Sequence, residues 1–164
     1  EVVNRLEALG VDVVELSGGS YEAPAMQGQT RDDTTLAREA YFLEFAQALV
    51  SKTDIPLMTT GGIKRAEVAE EVIEQGCALV GLASALAITP DLAKKWQQEW
   101  AYSGIIPHCS WKDKSLASLA NMAMVRRQLR RLGNNLTTLR NPSPLWSLIL
   151  DMLHRKRMTK RDVG

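Results

Sequence analysis

The stretch IPLMTTGGIK, residues 55–64, joins a short apolar run to a turn of two threonines and two glycines, after which residues recur at helical spacing. This pattern is typical of the strand-to-helix junction of a βα unit. Backbone N–H groups at such a junction are unpaired, and glycine lets an anion approach them closely. The stretch therefore predicts either a phosphate site or a tight turn that Thr59 and Thr60 only cap.

Two more apolar runs, residues 11–16 and 78–82, predict that the strand at residues 55–58 belongs to a sheet. All three runs are nearly all apolar instead of alternating, as expected for strands that are covered on both faces in a parallel sheet. Helical spacing over residues 36–50 and 65–75 separates them. The alternation predicts right-handed βα units and an α/β fold.

In βα architectures, functional groups gather at the carboxyl ends of the strands. Here the runs end in Ser17-Gly-Gly, Thr59-Thr-Gly-Gly and Gly81-Leu-Ala-Ser84, which are all small. Phosphate sites of barrels are frequently assembled from the loops after strands 7 and 8. Two consecutive turns of this character therefore favour the phosphate interpretation.

Apolar stripes predict the buried faces of the helices. The helix at residues 65–75 is expected to carry Val68, Val72 and Ile73 on one face. Two further helices in the tail carry longer stripes. The stripe of the first comprises Leu119, Met122, Val125, Leu129 and Leu132, and that of the second comprises Leu145, Leu148, Ile149, Met152 and Leu153.

A helix over residues 91–100 and a loop over residues 103–113 are predicted to lead into this tail. Ser143 is the expected N-cap of the last helix, and Pro144 its first residue. Residues 155–161 are expected to be frayed, as chain ends often are.

The charge of the chain is divided unevenly along it. Residues 1–111 hold 8 basic and 16 acidic residues, a net of −8, whereas residues 112–164 hold 12 and 3, a net of +9. One interpretation is that the tail packs on the acidic body or forms its own solvated surface. The other is that it binds an anionic partner. We divide the chain into βα units at residues 1–100 and a helical extension at residues 101–164.

Several kinds of site and partner are not expected from the composition. No apolar run approaches the roughly 18 residues of a membrane span, so no membrane partner is expected. Cys77 and Cys109 lack metal-binding spacing and predict reduced thiols in a cytoplasmic protein. His108 and His154 offer no metal site and are assigned no catalytic role.

Four segments together resemble a known family. They read VELSGGSY at residues 14–21, REAYFLEFA at 38–46, PLMTTGGI at 56–63 and LVGLASAL at 79–86. In order and separation, they resemble the C-terminal part of the Old Yellow Enzyme family of FMN-dependent NADH:flavin oxidoreductases. The resemblance is specific up to about residue 100. It implies that the chain supplies about strands 6–8 of a TIM (β/α)8 barrel, followed by a helical basic tail.

The resemblance also implies a cofactor, FMN, with its phosphate on the turns after strands seven and eight. Gly61 and Gly62 match the first of these turns, and Ala83 and Ser84 match the second. The family typically has Gly-Arg at the second turn, and the arginine pairs with the phosphate. That arginine is absent here.

Loss of a charge-assisted contact weakens phosphate binding unless another cation replaces it. We hypothesise that Lys64 or Arg65, which follow the first turn, supplies the positive charge that Ser84 lacks. A second interpretation is that this chain has lost the cofactor and kept the scaffold.

By resemblance, the reaction is hydride transfer from NADH or NADPH through FMN to an activated alkene or a similar small molecule. The family's residues that position and protonate the substrate come from earlier strands, so this chain alone is expected to be inactive. Ser17, Gly18, Gly19 and Tyr21 border the family's active-site mouth, or form only a tight turn with a packed tyrosine.

Two other functions remain open at this point. One is an FMN-dependent barrel that modifies RNA, such as a dihydrouridine synthase, with the arginine-rich tail on the RNA. It is disfavoured because no aromatic stacking platform accompanies the arginines. The other is a degenerate, non-catalytic barrel segment that serves as an assembly module through its tail helices. A homo-oligomer is a candidate assembly in either case.

Overall fold

Helices and a small parallel sheet make up the part of the chain that the structure describes. The structure is a computed structural model, and it describes residues 2–17, 39–40 and 42–162. The mixture of α and β elements confirms the predicted class. The helices are α1 (Val2–Ala8), α2 (Leu43–Val50), α3 (Ala66–Glu74), α4 (Ser84–Ile88), α5 (Leu92–Gln98), α6 (Lys114–Gly133) and α7 (Pro144–Asp162). No described helix has the length and apolar character that crossing a membrane requires.

The sheet contains three strands, which pair in parallel in the order of the chain. They are β1 (Val14–Leu16), β2 (Leu57–Thr59) and β3 (Leu79–Val80). The last residues of β1 and β3 both lie opposite Thr59. Because the three strands run in the same direction, the turns that follow them lie at one edge of the sheet. The predicted parallel sheet is thus confirmed.

One face of the sheet packs against α2 and α3. Leu16 and Leu57 are buried there, together with Leu43 and Ala46 of α2 and Val72 of α3. Fully burying a leucine or valine side chain contributes about 1.5–3 kcal/mol. This cluster is therefore the core of the βα units.

The other face of the sheet is open. Glu15, Met58 and Leu79 lie side by side on it. Glu15 is exposed, Met58 is half-buried and Leu79 is 44% exposed. The prediction that the strands are covered on both faces is therefore wrong for the described part of the chain.

The helix predicted over residues 36–50 begins later than expected. Ala40 has a φ of 53°, in the left-handed region, which a right-handed helix cannot contain. The helix α2 accordingly begins at Leu43. Upstream of it, Glu39 is buried and bonds to Arg65, 26 residues further along the chain.

The helix α3 matches its predicted bounds to within a residue, and Val68 and Val72 are buried as predicted. Ile73 is 47% exposed, so it does not share the buried face with Val68 and Val72. Successive helical residues are turned by about 100°, which places Ile73 off the face that covers the sheet.

The helices α6 and α7 pack together as a helical hairpin, but with other faces than predicted. Ser143 Oγ accepts from the Trp146 N–H at 3.4 Å, and α7 begins at Pro144, which confirms the predicted cap. The predicted burial of the apolar stripes is wrong for most of their members. The exposed members are Leu119, Met122, Leu129, Leu145, Ile149, Met152 and Leu153.

Small and polar side chains are buried in the hairpin instead. The buried residues of α6 are Ala117, Ala120, Ala123, Met124 and Gln128, and those of α7 include Ser147 and Asp151. Alanine lets neighbouring backbones approach closely. The Gln128 Oε1 accepts from the Leu139 N–H at 2.8 Å, and its Nε2 donates to the Leu139 carbonyl at 3.1 Å. The arrangement is stable because each buried polar group named here has a partner.

Asp151 is the charged centre of this hairpin. The residue is 2% exposed, and its carboxylate accepts from Arg126 at 3.1 Å, from Arg155 at 3.0 Å and from Arg130. Arg155 lies one turn further along α7 and bonds to Asp151, and α7 continues to residue 162, so the predicted fraying of residues 155–161 is wrong.

Burial raises the pKa of the Asp151 carboxyl, but hydrogen bonds from Arg130 and Arg126, with their charges, outweigh burial. The net result is a pKa below the ordinary value for aspartate. A carboxylate held in this way stabilises the fold only while it is ionised.

We predict that Asp151→Asn destabilises the protein. The substitution keeps the size of the side chain but removes the charge that three guanidinium groups share, and hydrogen bonds to charged groups are worth about 1.5–3 kcal/mol. Because the arginines are partly exposed, we expect a loss near the lower end, measured by urea unfolding. Asp91→Asn is the control, since Asp91 forms an exposed pair with Lys95 at 3.5 Å worth at most about 0.5 kcal/mol. Equal losses in both variants would contradict the prediction.

We also predict a pH dependence. The folded pKa of Asp151 is lower than the unfolded value of about 3.9, so its contribution is fully present above pH ~4 and is lost as the pH falls through the folded pKa. Unfolding measured across that acid range should show wild type and Asp151→Asn converging in stability. A difference in the free energy of unfolding between the two proteins that stays constant down to the lowest pH measured would exclude this titration.

Candidate cofactor site at the carboxyl edge of the sheet

The turns after β2 and β3 touch each other at the carboxyl edge of the sheet. The Gly81 N–H donates to the Thr59 carbonyl at 2.7 Å. A Cβ at Gly81 would lie 2.9 Å from Cβ of Thr60, closer than side chains tolerate. Glycine at this position therefore allows the two turns to share one small surface, as the phosphate interpretation requires.

The first turn depends on its two glycines. Gly61 has a φ of 127° and Gly62 a φ of 70°, conformations that residues with a Cβ rarely adopt. Their N–H groups donate no hydrogen bond within the described part of the chain. Both glycines are half-buried. The turn therefore presents free donors on a fixed backbone, which is what an anion needs.

The threonines do not cap the turn. Thr59 is fully buried, and its Oγ1 has no hydrogen-bond partner. Thr60 is half-buried and contacts the Gly81 position, and no hydrogen bond of its hydroxyl is found within the described residues. Within the described part of the chain, the prediction that Thr59 and Thr60 only cap a tight turn is therefore wrong.

The second turn leads directly into α4. Ala83 is exposed and occupies the N-cap position, and half-buried Ser84 is the first helical residue. Ala85 and Ile88 bury the other side of this helix. The second turn thus offers a hydroxyl and helix-start N–H groups but no positive charge.

Lys64 and Arg65, the two cations proposed to replace the missing arginine, have different environments. Arg65 Nε donates to Oε1 of buried Glu39 at 2.9 Å, and Nη1 approaches Glu67 at 3.5 Å. A buried carboxylate thus already balances the charge of Arg65. The hypothesis that Arg65 supplies the free charge loses its support.

Lys64 is held by its backbone instead. Its N–H donates to Glu39 Oε2 at 3.2 Å, and its carbonyl accepts from the Gly104 N–H at 2.7 Å. Its ammonium forms no ion pair with a carboxylate in residues 2–17, 39–40 or 42–162. The side chain is half-buried at the edge of the first turn. Lys64 is therefore the cation that remains available.

Sequence reasoning missed Glu39 and Gly81. Glu39 lies inside the segment REAYFLEFA, but its bond to Arg65 joins residues far apart in sequence and leaves no local pattern. Gly81 carried a signal, since a glycine that directly follows a strand often marks a close backbone approach. Gly18, Gly19 and Tyr21, predicted near an active-site mouth, lie outside the described residues.

The cysteines and histidines form no second site in the described part of the chain. Cys77 and Cys109 are free and buried, and burial raises the pKa of the Cys77 thiol. No group of three His, Cys, Asp or Glu side chains there is arranged to hold a metal ion.

Comparison with known proteins gives several relatives. NADH-dependent flavin oxidoreductase iliE of Hypocrea jecorina is 40% identical over 101 residues, which cover 56% of this chain and 25% of the relative. NADH-dependent flavin oxidoreductase iccE of Talaromyces variabilis is 37% identical over 93 residues, covering 52% and 22%. These relatives support the resemblance to the C-terminal part of the Old Yellow Enzyme family. The predicted resemblance is thereby confirmed.

The relatives also include 4,4'-dithiodibutanoate disulfide reductase of Rhodococcus erythropolis, 31% identical over 99 residues that cover 58% of this chain and 25% of the relative. The chain spans about a quarter of the length of these relatives. No family model and no solved structure matches it. The names of the relatives do not favour the RNA-modifying alternative.

We predict that Gly81→Ala destabilises the protein by about 1–3 kcal/mol, the usual cost of overpacking. The added methyl group would force Thr60 away and separate the two turns. Urea unfolding measures the loss. Gly133→Ala at the end of α6 is the control, because nothing lies within 4 Å of that added methyl group. The prediction is wrong if both substitutions leave the unfolding midpoint unchanged.

Proposed function

We propose that this chain supplies the phosphate-binding part of a flavoenzyme that transfers hydride from NADH through FMN to a small-molecule acceptor. The observation that carries the proposal is the pair of touching turns, with the N–H groups of Gly61 and Gly62 and the ammonium of Lys64 unpaired among the described residues. Relatives named as NADH-dependent flavin oxidoreductases support it. Their names favour NADH over NADPH as the electron donor.

The residues present fit a phosphate group. Backbone N–H groups of Gly61 and Gly62 would donate to its oxygens, and Lys64 would balance its charge. Ser84 would add a hydroxyl from the second turn. Gly81 leaves space between the two turns, and a side chain at this position would fill that space. When bound, FMN accepts and donates hydride, and these residues of the chain hold it in place.

The open face of the sheet supports a more specific proposal for the fold, a TIM (β/α)8 barrel. Parallel sheets are normally covered on both faces, yet Glu15 and Leu79 are exposed on this one. In a closed barrel the same face points into a packed interior. We propose that β1, β2 and β3 are strands 6–8 of such a barrel.

We predict that Lys64→Gln in the complete gene product weakens FMN binding about tenfold or more, the value of a lost charge-assisted contact. Arg65→Gln should change FMN affinity less, because Glu39 already binds Arg65. Fluorescence titration of the flavin-free protein measures both. Lys95→Gln, at a half-buried lysine of α5, is the control for loss of positive charge.

Riboflavin, which lacks the phosphate, separates a phosphate contact from general damage. Lys64→Gln should bind riboflavin as well as wild type does. Equal losses for FMN and riboflavin, or no loss for either, would remove Lys64 from the site. The proposed function itself fails if the complete gene product neither binds flavin nor oxidises NADH.

A further inference from the structure

The helical hairpin carries a groove of about 360 Å³ whose walls differ in chemistry. The wall on α6 is cationic and polar, and the opposite side is partly apolar. The residues on α6 are Arg127, Arg130 and Arg131, and Asn134 directly follows its end; the others are Leu136, Leu150, Leu153, His154 and Arg157. A partner that fits both walls must combine several negative charges with an apolar side chain.

The positive charge of the groove is not balanced within the described part of the chain. Among the arginines of α6 that line it, only Arg130 binds a carboxylate, and that carboxylate, Asp151, serves two other arginines as well. Arg127 donates to a serine hydroxyl at 3.4 Å and Arg131 to a backbone carbonyl at 2.7 Å. Both partners are neutral. Two guanidinium groups one helical turn apart therefore keep their full charge.

The helix α3 has the complementary surface. Its nine residues include four glutamates and no cation. Glu67 is near Arg65, but Glu70 and Glu74 are exposed and form no ion pair within the described residues. They lie four residues apart on one helix face, beside exposed Ile73.

The spacings of the two surfaces match. Arg127 and Arg131 are four residues apart, as are Glu70 and Glu74, so each pair spans about 6 Å along its helix. An exposed isoleucine lies beside the acidic pair, and leucines line the groove beside the basic pair. Both charge and apolar character are therefore complementary.

We propose that the groove of the helical hairpin binds α3 of a second copy of this chain. Glu70 and Glu74 of one copy pair with Arg127 and Arg131 of the other, and Ile73 packs against the groove leucines. Each copy carries both surfaces, and in the proposed dimer both contacts form at once, which relates the two copies by a twofold axis. The division of charge along the chain, −8 against +9, orients the two copies in this way.

Analytical ultracentrifugation of the complete gene product tests the pairing. Wild type should sediment as a dimer at low salt, and its dissociation should increase with ionic strength because the paired charges are partly exposed. One variant reverses the acidic pair, Glu70→Arg with Glu74→Arg. The other reverses the basic pair, Arg127→Glu with Arg131→Glu. Each variant alone should lose the dimer, because like charges then meet.

Mixing the two variants distinguishes direct contact from structural damage. In a mixed dimer, the α3 with reversed charges meets the groove with reversed charges. The native α3 of the second variant meets the native groove of the first. Every contact is then complementary, so the mixture should recover the dimer. A variant that has lost its fold cannot be rescued by mixing.

The control reverses two exposed charges that neither line the groove nor belong to α3, Glu44→Arg with Arg140→Glu, and should leave the dimer intact. The proposal is overturned if wild type is monomeric at low salt, if the control loses the dimer equally, or if the mixture stays monomeric. It is also overturned if monomeric wild type binds phosphatidylserine vesicles and the groove variant does not. That result would assign the groove to an anionic lipid surface.

Discussion

The buried carboxylate of Glu39 is the interaction on which the candidate site depends. One oxygen binds the Arg65 side chain and the other accepts from the Lys64 N–H. A buried carboxylate is costly unless it is paired, so these bonds fix the path of the chain between β2 and α3. The two glycines of the turn then adopt the conformations that leave their N–H groups free. The same bond also explains which of two neighbouring cations is available to a ligand.

Local chemistry made the sheet edge predictable from the sequence. Apolar runs that end in glycine gave the strands and their turns, and Ser143 with Pro144 gave the start of α7. The bond between Glu39 and Arg65, which fixes the chain after the first turn, was not predictable. The two residues are far apart in sequence, and neither lies in a pattern that requires the other. Positive φ at Ala40, which delays α2, likewise has no signature in the sequence.

The helical hairpin shows why an apolar stripe does not identify a buried face. The sequence of α6 carries leucines on one face and alanines on another, and the alanines are buried because small side chains permit close helix packing. Asp151 then needs several arginines around it, and these occupy the half-buried flanks of the helices. The leucines and methionines are consequently left outside. Pattern alone could not decide between these faces, because both are consistent with helical spacing.

The backbone of Lys64 is fixed at both ends, by Glu39 at its N–H and by Gly104 at its carbonyl, while its side chain stays unpaired among the described residues. An anion that binds there has to order only the rotamers of one side chain, an entropic cost of at most about 2 kcal/mol. The loop itself needs no reorganisation. A preorganised lysine of this kind retains more of its electrostatic attraction as net affinity than a lysine on a mobile loop would.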